Sequence, residues 1–147
     1  MTTVQAYLDF DGRCEEALKF YEEKLGAKIN VMMRFKDAPP GNECPPDEGN
    51  KMTPEHVMHS CFRIGGTDIM ASDCRCGGKV LFGGFSLSLN VETEEEADGY
   101  FNALAESGKI EMPLAPTFWT PKFGVVTDKF GVSWMVNVNN PQNQQEP

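Results

Sequence analysis

At 147 residues, 40% hydrophobic and 24% charged, the chain has the size and composition of a domain that buries its own core. Thirteen Lys and Arg against twenty-two Asp and Glu give a formal charge of -9, which repels nucleic-acid phosphates and anionic membrane surfaces and disfavours both as partners. The opening "MTTVQAYLDF" has no basic segment leading into an apolar run, and no stretch of about eighteen apolar residues occurs, so a cytoplasmic protein is expected.

In chain order, "VQAYLDF" (4–10) alternates as a strand, with Val4, Ala6, Leu8 and Phe10 on one face and Gln5, Tyr7 and Asp9 on the other. Residues 11–25 place Cys14, Ala17, Leu18, Tyr21 and Leu25 on one helical stripe, with Asp11 expected as the cap and Gly26 as the stop. Strand patterns follow in "INVMMRF", "VMHSCFRI" and "TDIMASD", the last two joined by the turn Gly65-Gly66. Between Phe35 and His56 runs a proline-rich, acidic excursion without apolar periodicity, long enough to be a lid.

The second half repeats the design. "FSLSLNV" is the strand, and residues 94–107 are a helix with Ala97, Tyr100, Phe101 and Leu104 as its stripe. Thr93 with Glu96 forms its capping box and Gly108 its stop. "KIEMPL", "FGVVTD" and "VSWMVNV" are the strands that follow. Each half reads β-α-β-β-β, the modules spanning 4–73 and 84–138 of one domain over 1–140, and the apolar-free tail 141–147 is expected to be disordered. Five cysteines, Cys14, Cys44, Cys61, Cys74 and Cys76, suit reduced thiols better than a disulfide framework, and the C-x-C pair at 74–76 is a weak metal signal on its own.

Alternation sorts the strand residues into a helix-covered set and a polar-leaning set. The second set holds Asn30, Met32 and Arg34; His59, Cys61 and Arg63; Asp68, Met70 and Ser72; Ser86, Ser88 and Asn90; and Ser133, Met135 and Asn137. The methionines and Tyr7 suit a surface that meets a ligand. Arg34 and Arg63 are placed to clamp a carboxylate or phosphonate, or to pair with acidic neighbours such as Asp68 or Glu55. Trp134 alternates into the core, whereas Trp119, flanked by prolines, is a candidate for stacking on a ligand or a partner.

"YLDFDGRCEEALKFYEEKLGAKI", "RIGGTDIMASD" and "TFWTPKFGVVTDKFGVSWMVN" resemble the opening, middle and closing signatures of the PhnB-like branch of the vicinal oxygen chelate (VOC) superfamily, which includes glyoxalase I, extradiol dioxygenases and bleomycin-resistance proteins. The resemblance implies an α+β fold of two βαβββ modules, with a mixed sheet curled into a U-shaped cup and helices on its outer face. It also implies a homodimer. In metal-using members four cup residues hold one divalent ion, and the corresponding places fall near Gln5, Met70, Ser86 and Met135. Thioethers and a serine hydroxyl are poor ligands for a hard or borderline ion, so no metal and no other cofactor is expected.

The reading that results is a protein that binds a small anionic molecule in its cup, with Gln5, Tyr7, Arg34, His59, Arg63, Met70, Ser86, Trp119 and Met135 as candidate contacts. Alternatives are an enzyme of lyase, isomerase or dioxygenase type with irregular metal ligands or acid-base chemistry at His59 and Cys61, and a regulatory dimer with a filled cup. The demethylubiquinone methyltransferase label attached to this branch finds no support, because no G-x-G-type turn follows a strand and opens a helix.

Overall fold

In a computed structural model, residues 1–39, 53–73 and 82–140 are described. The expected lid, the C-x-C pair and the tail lie, wholly or for the greater part, outside them. Two compact units divide the chain at Val80 and Leu81. The first contains β1 (Tyr7–Asp9), α1 (Cys14–Leu25), β2 (Lys28–Arg34), β3 (Val57–Ile64) and β4 (Thr67–Ser72). The second contains β5 (Leu87–Val91), α2 (Glu94–Ala105), β6 (Lys109–Ala115), β7 (Phe123–Thr127) and β8 (Ser133–Val138). Their sheets have the matching orders β1-β4-β3-β2 and β5-β8-β7-β6, each with one parallel pair. The fold is α+β, built from two βαβββ modules.

Each helix buries the stripe its spacing predicts. Cys14, Ala17, Leu18, Tyr21 and Leu25 are buried, as are Ala97, Phe101 and Leu104, while Tyr100 is half-buried. Tyr21 stacks on Phe62 of β3 with ring centroids 5.7 Å apart, a contact worth about 1 kcal/mol beyond its buried area. Trp134 is core, as expected, and its indole N–H donates to the buried Asp128 carboxylate at 2.9 Å.

The ends of the helices depart from expectation. Asp11 does not cap α1: it adopts a left-handed φ of 47°, and α1 starts at Cys14 without a side-chain cap from Arg13. The cap comes from far along the chain. One oxygen of the buried Asp73 accepts from Gly12 N–H at 2.7 Å and Cys14 N–H at 3.0 Å, and the other accepts from Val57 N–H at 2.9 Å. Capping signals are sought within a few residues of a helix start, and this one lies at a separation of 61. In α2, Thr93 does cap, accepting from Glu96 N–H at 3.1 Å. That helix stops through a left-handed Ser107 instead of Gly108. Gly108 is needed for a different reason, since a Cβ there would collide with the carbonyl oxygen of Thr127.

The β3–β4 hairpin turns on Gly65-Gly66 with Gly65 at φ 56° and Ile64 opposite Thr67, the arrangement of a type II′ turn with glycine first. Two strands are shorter than expected. Val4 is 97% exposed ahead of β1, and Phe85, ahead of β5, is also exposed.

Removing the Asp73 carboxylate would strand three backbone donors, two of them in buried bonds, at about 1–3 kcal/mol each. Asp73→Ala is therefore expected to lower the unfolding free energy in urea by about 3 kcal/mol or more. Asp11→Gly, which relieves a left-handed residue, should change it by less than about 1 kcal/mol.

Candidate functional site

In the first unit, α1 packs on β2 and β3, and most side chains on the other side of that sheet are half-buried or exposed among the described residues. Ser60, Phe62, Ile69 and Ala71 are buried beneath the helix. Their neighbours His59, Cys61, Arg63, Asp68 and Met70 therefore face outward, with Tyr7 of β1 on the same side. Tyr7 lies beside Met70, Met70 beside Cys61, and Cys61 beside Val31, which makes one row across four strands. The Tyr7 hydroxyl reaches to 3.3 Å from His59 Nδ1, with the rings 5.9 Å apart. Arg63 and Asp68 form a two-bond pair at the end of this face, 2.7 and 3.0 Å, and that pairing holds the Asp68 carboxyl below its ordinary value.

The expected set from β2 is corrected. Register shifts between Ile29 and Val31 and again between Met33 and Arg34 leave Ile29 opposite Phe62 and Met32 opposite Ser60, on the helix side. Val31 and Met33 then face outward beside Cys61 and His59. A bulge moves every following side chain to the other face. "INVMMR" alternates cleanly in sequence, Ile29, Val31 and Met33 against Asn30, Met32 and Arg34, so its pattern points to an unbroken strand and hides the shift.

Arg34 turns toward α1 as well. It donates to Glu15 at 2.6 Å and to the Glu55 carbonyl at 2.7 Å, so it is not part of the open face. Glu15 also pairs with Lys19 at 3.1 Å, and its bonds to Arg34 first and Lys19 second bring its carboxyl down to about 2. Around this pair lies a polar cavity of about 510 Å³ lined by Gly12, Glu15, Arg34, Lys36, Glu55 and His56, among others. Lys36 is held by Glu55 at 3.0 Å. The cavity was missed in the sequence because its residues come from a helix, a strand end and a loop, although Glu55 was legible as an acidic neighbour for an arginine.

In the second unit the sorting holds. Trp134, Val136 and Val138 are buried, while Ser133, Met135 and Asn137 face the other way, Met135 being 37% exposed. Ser86, just ahead of β5, bonds Ser133 through their hydroxyls at 2.7 Å. Asn137 lies between Asn90 and Phe123, and its Oδ1 is buried without a hydrogen-bond partner. Trp119 is 38% exposed and packs edge-on against Phe118 and Phe123, 4.8 and 5.3 Å between centroids. Gln5 is exposed ahead of β1.

Met70 and Met135 occupy equivalent places, each on the strand between the parallel partner (Tyr7, Ser88) and the antiparallel one (Cys61, Val125). The donors at the four expected places are thus two thioethers, one hydroxyl already bonded to another, and one amide. This set does not fit a hard or borderline divalent ion. Among the described residues no group of three His, Cys, Asp or Glu is placed to hold a metal, and no helix is long and apolar enough to cross a membrane.

Paired βαβββ modules, each with a parallel first-to-last strand contact, define a VOC-type protein. A family model described as 3-demethylubiquinone-9 3-methyltransferase matches residues 2–137. Protein YjdN of Escherichia coli (strain K12) is 40% identical over 144 residues, covering 95% of this chain and 97% of its own. Among solved structures, protein PA1353 from Pseudomonas aeruginosa is 39% identical at a TM-score of 0.80, covering 95% of this chain and 98% of that one. A PhnB protein from Bacillus cereus is 32% identical at a TM-score of 0.75, covering 94% and 100%. The chain belongs to the family that the matching family model describes, which its PhnB-like relatives share, and its fold is of the VOC type.

The Glu15 carboxyl gives a pH prediction. A folded-state value below the unfolded one means that the ion pair stabilises fully above the unfolded-state value of about 4.3. That contribution is lost as pH falls toward about 2. Urea melts between pH 6 and pH 2.5 should show Glu15→Gln less stable than wild type at the upper end, with the two curves converging at the lower end.

Proposed function

We propose that this protein binds a small molecule on the open face of its first sheet, and that the divalent metal site of its metal-using relatives is degenerate here. The observation that carries the reading is the face itself. A hydroxyl, an imidazole, a thiol and a thioether from Tyr7, His59, Cys61 and Met70 stand together on three adjacent strands whose other side a helix covers. Mixed apolar and polar groups on a rigid sheet suit a small ligand.

The ligand class shifts away from the anion expected from the sequence. Arg63 is held by Asp68 and Arg34 by Glu15 on the helix side, so an anion would have to displace a carboxylate to be clamped. A neutral or dipolar ligand meets no such competitor. A metal-assisted lyase, isomerase or dioxygenase has less support from the donor set. An acid-base role for His59 is the stronger second reading, favoured by the 3.3 Å approach of the Tyr7 hydroxyl. Methyl transfer, named in the family description, has no counterpart in sheets with a single parallel pair each. The homodimer implied by the family is part of the proposal, supported by the edge strand β6, where Ile110 and Met112 are exposed.

Thermal-shift screening of small metabolites tests the reading. Compounds that raise the melting temperature of wild type should lose that effect in Tyr7→Ala and Met70→Glu but keep it in Arg34→Ala. Equal stabilisation of all four proteins would remove the ligand from this face. Elemental analysis of the purified protein should find no stoichiometric Mn, Fe, Ni or Zn, and one equivalent of any of them would contradict the degenerate site.

A further inference from the structure

The divalent-ion donors are poor, but the residues beside Met70 are a coherent set of another kind. Cys61 is paired directly with Met70 across β3 and β4, and His59 directly with Met33 across β3 and β2. Cys61 and His59 are two residues apart on one strand and so share its outer face. All four therefore rise from one patch of the open face. Directly opposed residues have Cβ atoms about 4.5–5.5 Å apart and diagonal ones about 7–8 Å. Cys61, Met70 and His59 lie within such spans of one another, so a thiol, a flexible thioether and an imidazole can converge on one ion, whereas Met33 lies across β3 from Met70 and out of that reach.

We propose that this patch is a soft-metal site that takes one monovalent copper ion, with the Cys61 thiolate, the Met70 thioether and the His59 imidazole as ligands. Three observations support the assignment. The first is the donor type: thiolate and thioether sulfur select monovalent copper over the hard and borderline divalent ions that carboxylate and imidazole sets hold. Asp68, a carboxylate on this face beside Met70, is engaged in two bonds by Arg63 and does not compete to make a harder site.

The second is the support for His59. A ligating histidine donates its second ring N–H to a neighbour, which fixes the tautomer. The Tyr7 oxygen stands 3.3 Å from His59 Nδ1. With Nδ1–H donated to that oxygen, the Nε2 lone pair is left for the metal. The third is access. Cys61, Met70 and His59 are half-buried and not enclosed, so an ion can arrive from solvent. Cys14 is buried against Ser60, and its thiol is pushed up to about 12, chiefly by burial. Binding releases one proton as the Cys61 S–H bond is exchanged for a sulfur–copper bond, with no change of oxidation state.

The inference is independent of any organic ligand, because copper is titrated alone. Anaerobic competition of the full chain against a chromophoric copper(I) chelator is the test, carried out in a Cys44→Ser, Cys74→Ser, Cys76→Ser background so that Cys61 and the buried Cys14 are the thiols that remain. One equivalent should be held. Cys61→Ser should abolish it and Met70→Leu weaken it, while Tyr7→Phe, which keeps the ring and loses the oxygen, weakens it by about tenfold. Circular-dichroism melts confirm that each variant is folded. Failure of the background protein to hold one equivalent would overturn the site, as would copper affinities in Cys61→Ser and Met70→Leu equal to that of the background.

Discussion

One buried carboxylate organises the first unit. Asp73 follows directly on β4, and its two oxygens accept from the start of α1 at Gly12 and Cys14 and from the start of β3 at Val57. A helix N-terminus presents unsatisfied donors and a partial positive charge, so a carboxylate brought to it from a neighbouring strand ties helix to sheet where a local cap would tie the helix only to its own approach. With α1 fixed over β2 and β3, one side of the sheet becomes core. The other is left to Tyr7, His59, Cys61 and Met70. The chemistry of the open face follows from where Asp73 holds the helix.

The second unit reaches the same topology through different local devices. Its helix has the adjacent cap Thr93, and its buried aspartate, Asp128, serves the β7–β8 turn and the Trp134 indole instead of a helix. The duplication is therefore one of strand order and burial, while the polar contacts that lock each copy have diverged. The same divergence marks the outward faces: soft and aromatic donors on the first, serines and asparagines around Met135 on the second.

Much of this was legible from residue spacing. Where one parity is apolar and the other is not, as in β8 with Trp134, Val136 and Val138, the burial follows the alternation without exception. The stripe of α1 and the Gly65 turn were equally plain. The failures have a common physical origin in contacts between residues distant in sequence. Asp73 is a cap that no window around residue 13 contains. The bulges of β2 are invisible because "INVMMR" alternates in sequence as an unbroken strand would, and they exchange Met32 for Met33 on the open face and send Arg34 to Glu15. Of the two readings of the arginines, Arg63 pairs with Asp68 as its neighbourhood in sequence suggested, whereas Arg34 finds Glu15 on α1, a carboxylate that strand alternation does not bring to it.

The central claim is that the helix covers one parity of β3 and leaves the other open, and thiol labelling addresses it most directly. Native protein treated briefly with an alkylating reagent, then digested and mapped by mass spectrometry, should carry the label at Cys61 and leave Cys14 unmodified until denaturant is added. Rapid modification of Cys14 in the native protein, or protection of Cys61, would contradict the account.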